Sequence, residues 1–135
     1  MDSIRACTAQ EADVIKTGLR AYSMAALNNP EMERTQEINL VAEDRDGAVI
    51  AGILAEQYFG SCAFVSRLWV SAAARGKGLG SRLLQEVEHR AKAAGCTIIH
   101  LDTFDFQAKR FYEKLGYSVF GVLDDCPPGH RRYFF

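Results

Sequence analysis

The chain lacks the features that assign many small proteins to a special structural class. Its 135 residues include three prolines, one tryptophan and four cysteines, and no two cysteines form a Cys-x-x-Cys pair. This spacing predicts neither a disulfide framework nor a metal site, and it suits the reducing cytoplasm. No apolar run approaches the roughly 18 residues needed to span a bilayer, and the first residues lack the basic-then-apolar order of a signal peptide. We therefore expect a cytoplasmic protein with no metal and no membrane partner.

An excess of charge of one sign is also lacking. Lysine and arginine total 16 and aspartate and glutamate total 17, so the formal net charge is −1. This balance argues against a broad nucleic-acid-binding surface. The length and the 48% hydrophobic content suit one globular domain over residues 1–135.

The hydrophobic pattern predicts strands and helices that alternate along most of the chain. Thr8 and Glu11 form a predicted capping box for a first helix that runs to Leu27. The predicted strands cover residues 4–7, 38–43, 48–59, 62–71, 96–103, 117–123 and 131–135, and the later helices cover 31–37, 80–94 and 107–115. Strands 38–43, 48–59 and 62–71 form a predicted antiparallel meander, whereas 62–71 and 96–103 flank a helix and are predicted to be parallel.

The most informative segment is the loop of residues 75–80, Arg-Gly-Lys-Gly-Leu-Gly, before the helix 80–94. Three glycines let the backbone turn tightly and leave its N–H groups uncovered. The positive end of the helix dipole points back at this loop, and Arg75 and Lys77 add positive charge. The segment is therefore either a seat for a phosphate or pyrophosphate, or a plain glycine-rich turn.

Two common phosphate-binding loops do not fit this segment. A Walker loop needs glycine at position 71 and Ser or Thr after the lysine, but the chain has Ser71 and Gly78 there. The dinucleotide fingerprint needs a third glycine where the chain has Ser81 or Leu83. The loop therefore belongs to a different class of site.

Two motifs resemble those of the GNAT superfamily of N-acetyltransferases. The first comprises residues 68–70, then Arg75, Gly78 and Gly80, and is similar to the superfamily's Arg/Gln-x-x-Gly-x-Gly/Ala signature for acetyl-CoA. The second, residues 108–117, resembles the helix that carries the family tyrosine. The resemblance implies a single α/β domain of the GNAT type. Its central sheet would be mixed and mostly antiparallel, with helices on both faces.

The same resemblance implies how acetyl-CoA would bind as co-substrate. Backbone N–H groups of the loop would hold the pyrophosphate, and main-chain groups of the strand before it would bind the pantetheine arm, as an added strand would. The implied cofactor-binding residues are Leu68, Val70, Arg75, Gly76, Lys77, Gly78, Gly80, Ser81 and Asp105.

Asp105 departs from the family pattern, which often has asparagine at this position. An ionised aspartate only accepts hydrogen bonds, whereas asparagine both donates and accepts them. Asp105 therefore either binds the cofactor or caps the tyrosine helix, and we favour the cap.

Acetyl transfer to an amine needs a proton donor for the leaving thiolate and an acceptor for the amine proton. An alkyl amine with a pKa near 10.4 is neutral in only about one molecule per thousand at pH 7.4. The resemblance implies that Tyr112 is the general acid, although a short helix could also bury this tyrosine in the core. The candidate bases, in order of preference, are Asp102, Glu56 and His100, and for His100 we favour a hydrogen-bonded core histidine.

The predicted function is direct transfer of the acetyl group of acetyl-CoA to an amine of a small molecule or peptide. A non-catalytic module that binds or senses acyl-CoA is the alternative. Similar proteins are often dimers, so a homodimer is also possible.

Overall fold

The computed structural model describes residues 2–135, which form one seven-stranded sheet with helices. The helices are α1 (Ala9–Leu27), α2 (Leu79–Ala93) and α3 (Lys109–Lys114), with 3₁₀ turns at Pro30–Glu33 and Ala72–Ala74. The strands are β1 (Gln36–Glu37), β2 (Leu40–Glu43), β3 (Val49–Tyr58), β4 (Cys62–Val70), β5 (Ile98–Phe104), β6 (Gly121–Asp124) and β7 (Arg131–Phe134).

The strands run in the order β1–β3–β4–β5–β7–β6, and β2 pairs with β3 in line with β1. β2, β3 and β4 form the predicted antiparallel meander, and β4 and β5 are parallel, also as predicted. The sheet is therefore mixed and mostly antiparallel, which confirms the predicted sheet.

The core lies between the sheet and α2. Alternation along β3 and β4 places Ala51, Ile53 and Val65 on the face that α2 covers with Leu84 and Val87, and these side chains are almost fully buried. α3 packs against the same core, because Tyr112 and Phe135 belong to this cluster. We call this side of the sheet the helix face and the other side the open face.

The N-terminal segment differs most from the prediction. The capping box of Thr8 and Glu11 is present, and Arg5 pairs with Glu11 at 2.8 Å. Residues 4–7, however, form no strand, and no residue of α1 is buried. Within the described chain, α2 and α3 pack against the core on one face of the sheet, and α1 extends away from the sheet.

Three smaller predictions also need correction. The predicted helix 31–37 is a single 3₁₀ turn, Pro30–Glu33, followed by β1. The predicted strand 117–123 is reduced to Gly121–Asp124. The tyrosine helix begins at Lys109 with Ala108 at its cap position and no side-chain cap, so Asp105 does not cap it.

Candidate active site

The candidate site is a cleft where β4 and β5 separate. Their pairing ends at Val65 and Leu101, although β5 continues to Phe104 and pairs with β7 along its other edge. On the other side of β4, Ser66 is an extra residue in the pairing with β3, a β-bulge, and its hydroxyl donates to the Leu54 carbonyl at 3.1 Å. The resulting cleft has a volume of about 520 Å³.

The cleft connects the two faces of the sheet. Leu68 and Tyr112 line it from the helix face, whereas Trp69, Asp102 and Arg132 line it from the open face. A ligand that enters along α2 and α3 can therefore meet a second ligand that enters from the open face.

The glycine loop lies at the N-terminus of α2. Gly76 and Gly78 have φ values of 77° and 78°, the left-handed region that favours glycine, and a Cβ at either position would have no neighbour within 4 Å. Within residues 2–135, no protein group accepts a hydrogen bond from the backbone N–H groups of residues 76–81. The loop therefore presents open space and free donors at the positive end of a 15-residue helix.

Two contacts join this loop to the cleft. Arg75 Nε donates to the Val70 carbonyl at 3.1 Å, which fixes the loop at the end of β4. A Cβ on Gly80 would lie 3.3 Å from Phe111 Cζ, so glycine at this position lets α3 approach α2. Phe111 precedes Tyr112, and the loop and the tyrosine are thus packed as one unit.

Tyr112 is the only predicted catalytic residue on the helix face. Its side chain is 6% exposed and packs against Phe111, Tyr117 and Phe135. Its hydroxyl has no protein hydrogen-bond partner, yet no unpaired polar atom is buried among the described residues, so the hydroxyl reaches the cleft. Burial, with a smaller effect from the Asp102 charge, raises the pKa of Tyr112 to about 12.

Asp102 lies in the cleft and binds Arg132. Arg132 Nε donates to Asp102 Oδ1 at 3.0 Å and Nη2 donates to Oδ2 at 2.9 Å, a two-point ion pair. The Asp102 side chain is only 17% exposed. This pair raises the pKa of Arg132. The arginine was absent from the predicted site, because 30 residues separate the partners and only the β5–β7 register brings them together.

The other two candidate bases lie farther along the open face. Glu56 pairs across β3 and β4 with Phe64, which in turn lies beside His100, and neither Glu56 nor His100 lines the cleft. His100 forms a hydrogen bond with the Tyr58 hydroxyl. The hydrogen bond agrees with the preferred prediction of a hydrogen-bonded core histidine, but His100 is half-buried and lies outside the core cluster.

Asp105 holds the last hairpin in place. Its Oδ1 contacts His130 Nδ1 at 2.8 Å and its Oδ2 accepts from the Arg131 N–H at 3.0 Å. Partial desolvation raises the pKa of Asp105, but these hydrogen bonds outweigh it and the net pKa is lowered. Both oxygens thus have protein partners, and cofactor binding by Asp105 stays a prediction.

A larger hollow of about 720 Å³ lies at the other end of β5, beside the end of α2 and the Tyr117 turn. Neither the glycine loop nor Tyr112 lines this hollow, so we place the site in the smaller cleft. Among residues 2–135, we find no group of three or more metal-ligand side chains, and no helix there is apolar and long enough to cross a bilayer.

Comparison with known proteins identifies the family. The model of the acetyltransferase (GNAT) family matches residues 9–117. Blasticidin-S acetyltransferase of Streptomyces morookaense is 48% identical over 66 residues, which are 48% of each protein, so the match spans about half the length of that relative.

Solved structures agree with this assignment. The crystal structure of an acetyltransferase from Bacillus cereus has a TM-score of 0.91 at 36% identity, and the match covers 99% of this chain and 95% of that one. An aminoglycoside 6′-N-acetyltransferase complexed with coenzyme A shares the fold, with a TM-score of 0.64 at 23% identity. That match covers 84% of this chain and 76% of the other.

These matches confirm the predicted family and fold class and the assignment as an acetyltransferase. The family model covers the glycine loop, the separated strands and the tyrosine helix together. The chain belongs to the GNAT family of acetyltransferases.

Proposed function

We propose that this protein transfers the acetyl group of acetyl-CoA to the amine of a small polar molecule, with Tyr112 as general acid and Asp102 as the group that receives the amine. The observation that carries this proposal is the cleft itself. Tyr112 and Asp102 line it from opposite faces of the sheet, at the point where β4 and β5 separate.

The residues of the glycine loop fit the pyrophosphate of acetyl-CoA. Gly76 and Gly78 leave open the space that a Cβ would fill, and the N–H groups around them have no protein acceptor among the described residues. Lys77 and Ser81 add a positive charge and a hydroxyl at the same helix end. The edge of β4 at Leu68 and Val70 faces the gap to β5, where its main chain can bind an extended arm.

Acetyl-CoA supplies an activated thioester when it is bound. Tyr112 would hold its proton where the thiolate leaves, since its pKa of about 12 keeps the hydroxyl protonated at neutral pH. Asp102, oriented by Arg132, would attract and align the acceptor amine and take its proton directly or through water. Glu56 and His100 remain the alternative bases, at a greater distance along the same face.

The acceptor would enter from the open face, where Trp69 and Phe104 flank the Asp102–Arg132 pair. Flat apolar walls around a charged pair suit a compact molecule that carries both rings and amines. Blasticidin-S and aminoglycoside acetyltransferases are among the similar proteins, so antibiotic-like amines are the first acceptors to test, before peptide amines.

The test is a screen of such amines with acetyl-CoA, in which release of the free CoA thiol is followed by a thiol reagent. We expect turnover with at least one small amine, and loss of that turnover in Tyr112→Phe with acetyl-CoA affinity retained. Binding of acetyl-CoA without thiol release by any amine would instead support the non-catalytic acyl-CoA module. Failure to bind acetyl-CoA at all would contradict both.

Location and assembly complete the proposal. The four cysteines are free, which suits the cytoplasm, where acetyl-CoA is also available. A homodimer is the proposed assembly.

A further inference from the structure

The strongest unexplained feature is the N-terminal arm, which we define as residues 2–28. Its helix α1 carries an apolar stripe at helical spacing, and the stripe is exposed to solvent. The exposed fractions are 71% for Val14, 63% for Ile15, 64% for Leu19 and 75% for Tyr22. A stripe of this kind is normally buried against another element.

The open face of the sheet is the matching unfilled surface. Val41 on β2 and Trp69 on β4 lie on either side of Gly52 on β3, and Leu54 lies two residues further along β3. The side chains of Val41, Trp69 and Leu54 are 43–60% exposed. The sheet has six strand positions side by side, so at about 4.8 Å per spacing it is about 24 Å wide. The 19 residues of α1 form a helix about 28 Å long, which is enough to cross this width.

The arm is held away from its own sheet. Asn28 ends α1 in the left-handed conformation, and Asn29 caps the 3₁₀ turn that follows. Arg20 donates to the Glu33 carbonyl, and this turn packs closely against Gly60 at the β3–β4 corner. Folding the arm back onto its own open face would break the Arg20–Glu33 hydrogen bond and change the conformation of Asn28.

The total surface shows how much area is left uncovered. The chain of 15.0 kDa exposes 9751 Å². A compact monomer of this mass exposes about 7,000 Å², so the excess is about 2,700 Å² per chain. For two chains the excess is about 5,400 Å², at the upper end of the roughly 2,000 to more than 5,000 Å² that obligate homodimers bury.

The Bacillus cereus structure supports the placement of the arm. The arm is one fifth of the chain, so a TM-score of 0.91 over 99% of the chain requires that most of the arm superposes as well. The extended arm is thus shared with a solved relative.

We infer that two copies of this chain exchange their arms, so that α1 of each copy covers the open face of the other. The free outer edge of β2 would then accept the extended residues 4–7 of the partner as an added strand, which explains why their sequence has the pattern of a strand. The exchanged α1 would also cover the open-face entrance of the cleft beside Trp69, so each active site would be complete only in the dimer.

The first test measures mass and does not depend on the proposed function. Sedimentation equilibrium of the wild type is expected to give twice 15.0 kDa. Leu19→Glu puts a charge on the apolar stripe and is expected to give a monomer. Thr17→Glu puts the same charge on the opposite side of α1, where the side chain is exposed in the monomer and in the proposed dimer. This variant is expected to stay dimeric. A monomeric wild type, or equal masses for the two variants, would overturn the inference.

The second test asks whether the open face of each chain is covered by the partner's arm or by the arm of the same chain. It measures activity and therefore rests on the proposed function. A two-tag heterodimer combines one Tyr112→Phe chain with one Leu19→Glu chain. With exchange, the intact arm of the first chain covers the intact site of the second, and about half the wild-type activity is expected. Activity no higher than that of Leu19→Glu alone, or failure to recover the heterodimer, would overturn the exchange. Circular dichroism of both single variants confirms that they are folded.

Discussion

Replacing Tyr112 by phenylalanine isolates the hydroxyl that we assign to proton transfer. Phenylalanine keeps the ring contacts to Phe111, Tyr117 and Phe135, which lie 5.1, 6.1 and 5.7 Å away between ring centroids. Among residues 2–135 the hydroxyl has no hydrogen-bond partner, so its removal leaves none of their buried groups unpaired. We therefore expect the free energy of unfolding to change by less than about 1 kcal/mol.

Catalysis should respond very differently. Loss of a positioned general acid lowers the rate by roughly 10²- to 10⁴-fold, and we expect kcat to fall in this range while the Kd for acetyl-CoA stays within a factor of about three. The assays are steady-state thiol release and calorimetric titration with acetyl-CoA. Tyr112→Ala, in contrast, would remove a buried ring and cost about 3–5 kcal/mol of stability.

The neighbouring Tyr117 provides a matched control. Its ring belongs to the same aromatic cluster and burial raises its pKa too, but it lines the hollow at the other end of β5. Tyr117→Phe should leave kcat unchanged. If Tyr112→Phe keeps kcat within threefold of the wild type, or if both variants lose activity equally, Tyr112 is not the proton donor.

Two further predictions concern the charges of the cleft. Arg132→Met leaves the Asp102 carboxylate, whose side chain is 17% exposed, without its ion-pair partner. We expect a higher KM for the amine and an unchanged Kd for acetyl-CoA. The free energy of unfolding, measured in urea, should fall by about 1–3 kcal/mol. An unchanged amine KM would remove Asp102 from the acceptor site. The pKa of Tyr112 is raised from 10.0 to about 12 in the folded state, so its contribution to stability is fully present below pH 10 and is lost as pH rises toward 12. Urea unfolding at pH 9 to 12 measures this loss, and Tyr112→Phe should show less of it than the wild type; identical curves would contradict the shift.

Local sequence signals predicted the elements that depend on neighbouring residues. The capping box at Thr8 and Glu11, the end of α2 near Gly95 and the glycine loop before α2 each involve groups within a few residues, and all three are present. Short-range patterns therefore specified most of the fold.

Features that depend on distant parts of the chain were missed or misread. Residues 4–7 have the pattern of a strand, but a strand needs a partner edge, and within one described chain this segment finds none. The Asp102–Arg132 pair arises from the β5–β7 register. Asp105 was expected to cap the tyrosine helix, but His130 and the Arg131 N–H, 25 and 26 residues away, bind both its oxygens.

The most direct test of acetyl-CoA binding at the glycine loop compares two glycine substitutions by calorimetric titration. Gly78 and Gly47 have φ values of 78° and 81°, and a Cβ on either would meet nothing within 4 Å, so Gly78→Ala and Gly47→Ala carry the same backbone strain of about 1–2 kcal/mol. Only the Cβ at position 78 would enter the space assigned to the pyrophosphate. We predict that Gly78→Ala raises the Kd for acetyl-CoA at least tenfold while Gly47→Ala leaves it unchanged. Equal affinities in the two variants would contradict binding at this loop.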